Sequence, residues 1–196
     1  MPTTYGHHRL LPALGAFRDR YPHVSVEVEI SNRNIDFVRD GFDLAIRMGA
    51  IRETGLVARK LGDFAVGVFA SPAHLGRFGT PTSLEALARH TCIAFVMPSS
   101  GRVLPWTFGR SATTFVPQAT FRCSEDVLGT VTLARAGVGL IQTYDFVVAD
   151  DLARGALVEV LRPLRGFSRS FSLIYPASVT RTSAVRSLVE HVLATR

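Results

Sequence analysis

Stretches with strand-type periodicity alternate with stretches of helix-type periodicity along nearly the whole chain, and this alternation limits the folds open to it. From Val24 to Ile30 apolar and polar residues alternate, which predicts a strand with one side toward solvent or a partner. From Leu10 to Tyr21 apolar residues recur every three or four positions, which predicts a helix that begins or bends near Pro12 and ends at Pro22. Strands that alternate with helices favour an α/β fold with mostly parallel pairing.

Capping and turn residues between the apolar runs predict the remaining elements. Ser124 is followed by Glu125 and Asp126, which predicts a helix start because acidic side chains suit the positive end of the helix dipole. Thr82 and Glu85 have the spacing of a capping box. Further strands are predicted at residues 42–48, 56–61, 64–70, 92–96, 106–108, 114–116, 119–122, 140–143, 157–161 and 171–175. Helices are predicted near residues 34–40, after Ser71, at 82–88, from Ser124 to Gly137, at 146–153 and from Ser183.

The composition is that of a globular protein, with 47% hydrophobic and 19% charged residues. No apolar run approaches the roughly 20 residues of a membrane span, and no apolar stretch resembling a secretory leader follows Met1. We therefore expect a soluble, cytoplasmic protein with no membrane partner. The net charge is +6 and Lys60 is the only lysine. Because the arginines are scattered, we expect no direct nucleic-acid contact through them.

The sequence contains no recognisable catalytic or metal-binding motif. The six histidines form no HExxH arrangement, and there is no GxSxG elbow, Walker loop or GxGxxG after a strand. We therefore predict no catalytic residue, no metal ligand and no cofactor. Asp150 and Asp151 are adjacent, so on a helix they point about 100° apart, and we expect them on a solvated face. Cys92 and Cys123 are expected to be buried free thiols.

Ten short motifs occur along the chain in an order that resembles one protein family. They are TTYG at 3–6, LLP at 10–12, FDLAIRMG at 42–49, LVARKL at 56–61, ASPAHL at 70–75, GTP at 79–81, HTCI at 90–93, WTF at 106–108, AGVGL at 136–140 and LARGALV at 152–158. Each motif alone is weak, but the ordered set covers nearly the whole chain. The sequence resembles the effector-binding domain of bacterial LysR-type transcriptional regulators.

The resemblance implies an α/β fold of two Rossmann-like lobes around a central cleft, like the type 2 periplasmic binding proteins. Lobe I would comprise residues 1–70 and 169–196, and lobe II residues 71–168. In the family a winged helix-turn-helix and a first strand precede this region, and neither is in the chain. We therefore expect that the first strand is truncated, that Met1 marks a fragment or a misplaced start, and that DNA is bound only through the missing N-terminal domain.

The resemblance also implies a small-molecule effector bound in the cleft. Thr3 and Thr4 would stand at the start of the first helix, where they either help backbone amides to bind an anion or only cap the helix. Arg47 would end the DLAIR strand and either pair with a carboxylate or hold a loop. The candidates in lobe II are Met97, Ser99, Thr143, Tyr144 and Phe146. The expected effector is a carboxylated or aromatic metabolite.

Effector binding would act by shifting the population of closed lobes. We expect a homodimer or homotetramer that pairs through the strand at 24–30 and the helix after Ser124. Two other functions remain open at this point. A solute-binding protein of a transport system would share the fold, and an apolar leader upstream would identify it. An enzyme on the same scaffold would turn over its bound metabolite.

Overall fold

A computed structural model describes residues 1–33, 36–51 and 54–195. The chain forms two compact units, of which unit 1 contains residues 1–63 and 169–196 and unit 2 contains residues 64–168. The α-helices are α1 (Thr3–Tyr5), α2 (Leu11–Arg20), α3 (Phe37–Asp40), α4 (Pro72–Phe78), α5 (Leu128–Arg135), α6 (Ala149–Ala153) and α7 (Ser183–Ala194). The strands are β1 (Ala45–Met48), β2 (Leu56–Ala70), β3 (Ile93–Val96), β4 (Trp106–Phe108), β5 (Thr113–Phe115), β6 (Phe121–Ser124), β7 (Ile141–Tyr144), β8 (Val158–Val160) and β9 (Ser168–Pro176).

The first boundary between the units lies after Asp63, seven residues earlier than the sequence analysis placed it. The sequence predicted two strands, at 56–61 and 64–70, with a break between them. The structure instead has one 15-residue strand, β2, which leaves unit 1 and continues into unit 2. Gly62 and Asp63 break the apolar pattern but not the extended backbone, because backbone hydrogen bonds rather than side-chain pattern define a strand.

The first helical segment of unit 1 begins earlier than predicted. α1 starts directly after Pro2, and a π-helical turn at Gly6–Leu10 joins it to α2. Pro12 lies in the first turn of α2, where its missing N–H costs little after the wider turn. Phe17 is buried beneath this helix, and its ring lies 5.3 Å from that of His191 on α7.

The predicted strand from Val24 to Ile30 is wrong. This segment belongs to no strand among the residues that the structure describes, although its residues alternate between half-buried and exposed. At its C-terminal end the Met1 amino group donates to the Glu29 carbonyl at 2.9 Å, and the adjoining Ser31 N–H donates to the Met1 carbonyl at 2.8 Å. The alternation of apolar and polar residues therefore predicted which side chains are half-buried. A strand, however, also requires backbone hydrogen bonds to a neighbouring strand along its length.

The pairing in unit 1 is antiparallel, contrary to the mostly parallel pairing that the sequence predicted. β1 lies beside β9, with Ile46 opposite Leu173. The predicted strand at 42–48 is shortened to the residues that make this ladder. α7 covers the core with Val189 and Val192, in agreement with the helix predicted from Ser183.

In unit 2, β2 pairs antiparallel with both β7 and β8, β4 pairs antiparallel with β5, and β3 pairs parallel with β6. Cys92 and Leu140 form an isolated parallel bridge, so β3 and β7 start side by side and run in the same direction. The core contains Trp106 together with Leu87, Cys92 and Leu140. The strand pairing in unit 2 is mixed, because β2 pairs antiparallel with β7 and β8 whereas β3 and β6 run parallel.

Several predicted boundaries in unit 2 move by a few residues, and two of the caps are different. Ser124 ends β6 instead of capping a helix, and α5 starts after Asp126, whose Oδ1 accepts from the Leu128 N–H at 2.9 Å. The capping-box prediction is also displaced, since Ser83 rather than Thr82 accepts a backbone bond, from Ala86 at 3.3 Å. The other strands and helices of unit 2 agree in type and shift at their ends, except that residues 85–89 and 145–147 are 3-10 turns.

The predicted helix near 34–40 is observed only as α3, and Asn34 and Ile35 lie outside the described residues. Among the described residues no helix has both the length and the apolar character needed to cross a bilayer.

Candidate functional site

Unit 1 places the predicted Thr3 and Thr4 at the start of the first helical segment, where both side chains are buried. Asn32, which the sequence analysis did not include in the site, contacts Thr3 twice. Its Nδ2 donates to Thr3 Oγ1 at 2.6 Å, and its Oδ1 accepts from the Thr3 N–H at 3.2 Å. Neither threonine side chain caps its own helix. The Thr3 hydroxyl is therefore held in one position by a residue 29 positions away.

A cavity of about 100 Å³ adjoins this pair and contains the predicted Arg47. Arg47 is the third residue of β1 and is partly exposed. The cavity is lined by Met1, Pro2, Ser31, Asn32, Arg33, Ala45, Ile46, Arg47 and Met48. Two guanidinium groups, an amide and an apolar floor suit a small carboxylate, because the planar guanidinium matches the two carboxylate oxygens. Arg33 also forms an exposed ion pair with Glu29 at 3.7 Å.

Unit 2 brings together three of the predicted residues at the end of β7. Thr143 and Tyr144 are buried residues of the strand itself. The Tyr144 and Phe146 rings are stacked with centroids 5.4 Å apart, and Phe64 meets Phe146 edge-on at 5.0 Å. Thr143 lies opposite Gly67 in the ladder. Tyr144, Phe146 and Phe64 form an aromatic cluster of the kind that suits a small aromatic ligand. The Thr143 side chain, one position earlier in β7, points to the opposite face of the strand.

Asp145, directly after β7, belongs to a group of ion pairs that the sequence analysis did not select. Arg165 forms ion pairs with Asp145, which lies between Tyr144 and Phe146 in sequence, and with Glu159 at 2.8 Å. The Glu159 side chain is 6% exposed and also pairs with Arg162. No sequence pattern near Arg165 indicated these contacts, because its partners lie 20 and 6 residues away along the chain.

Met97 and Ser99 lie on a turn that follows β3. The Met97 N–H donates to the Arg102 carbonyl at 2.9 Å, and its own carbonyl accepts from the Gly101 N–H at 2.9 Å. Ser99 is exposed at the tip of the turn. Because β3 and β7 run parallel from adjacent starts, the residues that follow them lie toward the same end of unit 2.

The two cysteines differ in environment. Cys92 is buried, as predicted, and burial raises the pKa of its thiol to about 12. Cys123 is only half-buried, so the prediction that both are buried holds for Cys92 alone. Burial and the nearby Asp126 also raise the pKa of the Cys123 thiol. Within residues 1–33, 36–51 and 54–195, no three histidine, cysteine or acidic side chains come together in a way that could hold a metal ion.

The prediction of a solvated Asp150–Asp151 face is wrong for Asp151, whose side chain is 1% exposed. Both nitrogens of one guanidinium edge contact it, with Arg135 Nε donating to Oδ1 at 2.8 Å and Nη2 to Oδ2 at 2.7 Å. Arg154 adds a bond of 3.0 Å. The residues next to Asp151 in sequence did not indicate this burial, because its partner Arg135 lies in α5, 16 positions away.

Comparison with known proteins gives one consistent result. The family model described as LysR substrate binding domain matches residues 1–196. The chain is 36% identical over 173 residues to the HTH-type transcriptional regulator YhjC of Escherichia coli (strain K12), covering 85% of this chain and 56% of YhjC. It is 32% identical over 154 residues to the HTH-type transcriptional regulator CrgA of Neisseria meningitidis serogroup B, covering 79% of this chain and 51% of CrgA.

A solved structure of the CrgA regulatory domain from Neisseria meningitidis superposes with a TM-score of 0.86 at 26% identity, covering 98% of this chain and 94% of that chain. The predicted α/β fold of the type 2 periplasmic-binding-protein class is thus confirmed. The chain spans about half the length of the curated relatives it matches. Those relatives are regulators rather than enzymes, and the reading as a transport protein is not favoured. The resemblance read from the ordered motifs is confirmed: the chain belongs to the LysR substrate binding domain family.

Proposed function

We propose that this chain is the effector-sensing part of a LysR-type transcriptional regulator and that it binds a small carboxylated or aromatic metabolite. The observation that carries the proposal is the family match over residues 1–196. Two groups of side chains support the ligand class. Asn32 and Arg47 line a cavity in unit 1 that suits a carboxylate, and the aromatic cluster of unit 2 suits a ring.

Each group has a hydroxyl proposed to contact the effector. In unit 1 the proposed effector contacts are Thr3, Thr4 and Arg47. In unit 2 the proposed contacts are Thr143, Tyr144 and Phe146, together with Met97 and Ser99 from the turn at the same end of the unit. Because the Thr3 N–H and Oγ1 both bond Asn32, the hydroxyl hydrogen is what Thr3 offers to an acceptor on the effector.

A ligand screen tests the proposal. Thermal unfolding is measured with benzoate, salicylate, succinate and uncharged benzamide, and any compound that raises the midpoint is then titrated by calorimetry. We expect a carboxylate to bind and Thr3→Ala and Thr143→Ala each to weaken it by about five- to tenfold, the worth of one hydrogen bond of about 1 kcal/mol. Thr120→Ala, at an exposed position of unit 2, is the matched control. Unchanged affinity in both site variants would contradict this site.

The assembly of the whole protein follows as part of the same proposal. A homodimer or homotetramer is proposed to form through the extended segment at 24–30 and helix α5. DNA contact is assigned to the part of the relatives that this chain does not match, since their names describe them as HTH-type regulators. Such a regulator acts in the bacterial cytoplasm. Light scattering of the full-length protein tests the oligomer, and a monomer at micromolar concentration would contradict it.

Sensing rather than catalysis is proposed because the relatives are transcriptional regulators and because the described residues around Thr143 and Thr3 supply hydrogen bonds and packing. Incubation of a bound probe with the protein, followed by chromatography, tests this point. Recovery of the probe unchanged is the expected result, and its conversion would identify an enzyme.

A further inference from the structure

Two histidine rings in unit 2 contact each other at a junction that the proposed effector site does not use. His74 lies on α4 and is 0% exposed, and His90 is half-buried in the segment before β3. His74 Nε2 and His90 Nδ1 are 3.4 Å apart, with ring centroids at 5.6 Å. One of these two nitrogens must carry the hydrogen and the other must accept it, so the contact requires that at least one ring nitrogen of the pair be unprotonated.

The position of His74 is fixed by its surroundings. The Ser71 hydroxyl oxygen caps α4 by accepting from the His74 N–H at 3.3 Å. The Phe78 ring packs on the imidazole with centroids 4.8 Å apart. On the other side is the turn at Gly137, where a Cβ atom would lie 3.6 Å from Ser71 Oγ. The Ser71 cap and the Phe78 contact thus hold His74 on α4 with its ring beside that of His90.

The second ring nitrogen of His74, Nδ1, is buried without a well-formed hydrogen bond. Burial lowers the pKa of His74, the Gly137 backbone partly opposes this, and Arg77 on the same helix adds to the lowering. Burial also lowers the pKa of His90, with further contributions from His74 and Arg89. The charged side chains that act on the two rings, among the residues described, are thus arginines, and no carboxylate is positioned to stabilise a protonated pair.

We propose that the His74–His90 pair is an acid-sensitive latch that holds α4 against the segment leading into β3 and releases it when the pair is protonated. A doubly protonated pair would place two donors and two positive charges face to face at 3.4 Å, next to Arg77 and Arg89. The contact is then lost, and α4 separates from the Gly137 turn and the His90 segment. Unit 2 thereby acquires a conformation that depends on pH and not on the effector.

The direction of the pH effect follows from the lowered pKa values. Unfolded histidines take up protons at a higher pH than this pair, because both folded pKa values lie below the usual 6.5. The folded state therefore has its full stability above about pH 6.5. Stability is lost progressively as the pH falls below that value toward the folded pKa values.

The single tryptophan allows unit 2 to be observed by itself. Trp106 is 4% exposed and belongs to the core of unit 2 with Leu87, Cys92 and Leu140. Of these, Leu87 and Cys92 lie on either side of His90 in the sequence. Urea unfolding of the whole chain is followed by Trp106 fluorescence between pH 8 and pH 5. The variant His74→Gln/His90→Asn keeps amide groups at the two contacting ring positions but cannot titrate. His23→Asn, at an exposed histidine of unit 1, is the control.

We expect the unfolding equilibrium constant of the wild type and of the control to rise several-fold more between pH 7.5 and pH 5 than that of the double variant, in which the pair cannot take up protons. Equal pH dependence in all three proteins would overturn the proposal. If the double variant does not fold, imidazole NMR of the wild type decides. Both rings neutral at pH 6.5 would support the latch, and titration of both at the usual pKa would refute it.

Discussion

Asn32 bonds both the hydroxyl and the backbone N–H of Thr3, since its Nδ2 donates to Oγ1 at 2.6 Å while its Oδ1 accepts from the Thr3 N–H at 3.2 Å. The first N–H of a helix normally lacks a partner within the helix, and it is a common site for an anion. In this chain the Thr3 N–H instead donates to the side chain of Asn32, which is 29 positions away in sequence. The carboxylate site proposed for unit 1 is therefore expected to depend on Arg47 rather than on the Thr3 amide.

Asn32→Ala is predicted to destabilise the protein by about 1–2 kcal/mol, because it leaves the buried Thr3 N–H without a partner. Asn32→Asp is predicted to cost less, since a carboxylate still accepts from the N–H and can also accept from the Thr3 hydroxyl. Urea unfolding by circular dichroism measures both. Arg33→Ala, at the exposed neighbouring position, should change stability little. Equal stability of the alanine variant and the wild type would show that water replaces the amide.

Asp151 provides a second prediction, about acid stability. Burial alone would raise the pKa of Asp151, but the hydrogen bonds and charges of Arg135 and Arg154 outweigh it and lower the pKa below its usual 3.8. The ion pairs therefore stabilise the fold above that pH, and their contribution is lost as the pH falls through the lower folded value. Asp151→Asn is predicted to lose about 1.5–3 kcal/mol at pH 7, the range for hydrogen bonds to charged groups.

The matched control for Asp151→Asn is Asp150→Asn, because Asp150 is exposed and directly adjacent. Chemical unfolding at pH 7 and pH 3 measures both variants. Arg135→Met is predicted to destabilise more than Arg154→Met, since Arg135 makes two bonds to the carboxylate and Arg154 makes one. The opposite order would show that packing of the arginine stems, not the ion pair, dominates.

Gly139 provides a third prediction, which depends on backbone contact. A Cβ atom at this position would lie 2.2 Å from the Thr91 carbonyl oxygen. That oxygen already accepts from the Leu140 N–H at 2.8 Å, so neither segment can move without breaking the bridge that joins the starts of β3 and β7. Gly139→Ala is therefore predicted to destabilise unit 2 by about 3 kcal/mol or more, as overpacking of a rigid site does.

Gly76→Ala is the control for this substitution. Gly76 lies in α4 with open space around it, and alanine in a helix is predicted to stabilise by about 0.4–1 kcal/mol. Thermal unfolding followed by Trp106 fluorescence distinguishes the two variants. A Gly139→Ala protein as stable as the wild type would mean that the Thr91 segment can shift.

Sequence reasoning selected the candidate residues from motifs but contained no information about their contacts. Thr3 and Arg47 were selected from motifs, and Asn32, which contacts Thr3 and lines the same cavity as Arg47, was not selected. Its contact with Thr3 spans 29 positions. Neither local periodicity nor cap spacing predicts such a contact, because it forms only when the tertiary fold brings the segment at Asn32 next to the first helix.

The sequence by itself determined the family, the alternation of elements and local features such as the Ser71 cap of α4, since these depend on residues within a few positions of one another. Only the tertiary structure decided that residues 24–30 form no strand, that β2 is continuous with antiparallel neighbours, and that Asp151 is buried under Arg135. The physical reason is that strand pairing and desolvation are properties of two segments in contact, while periodicity describes one segment alone.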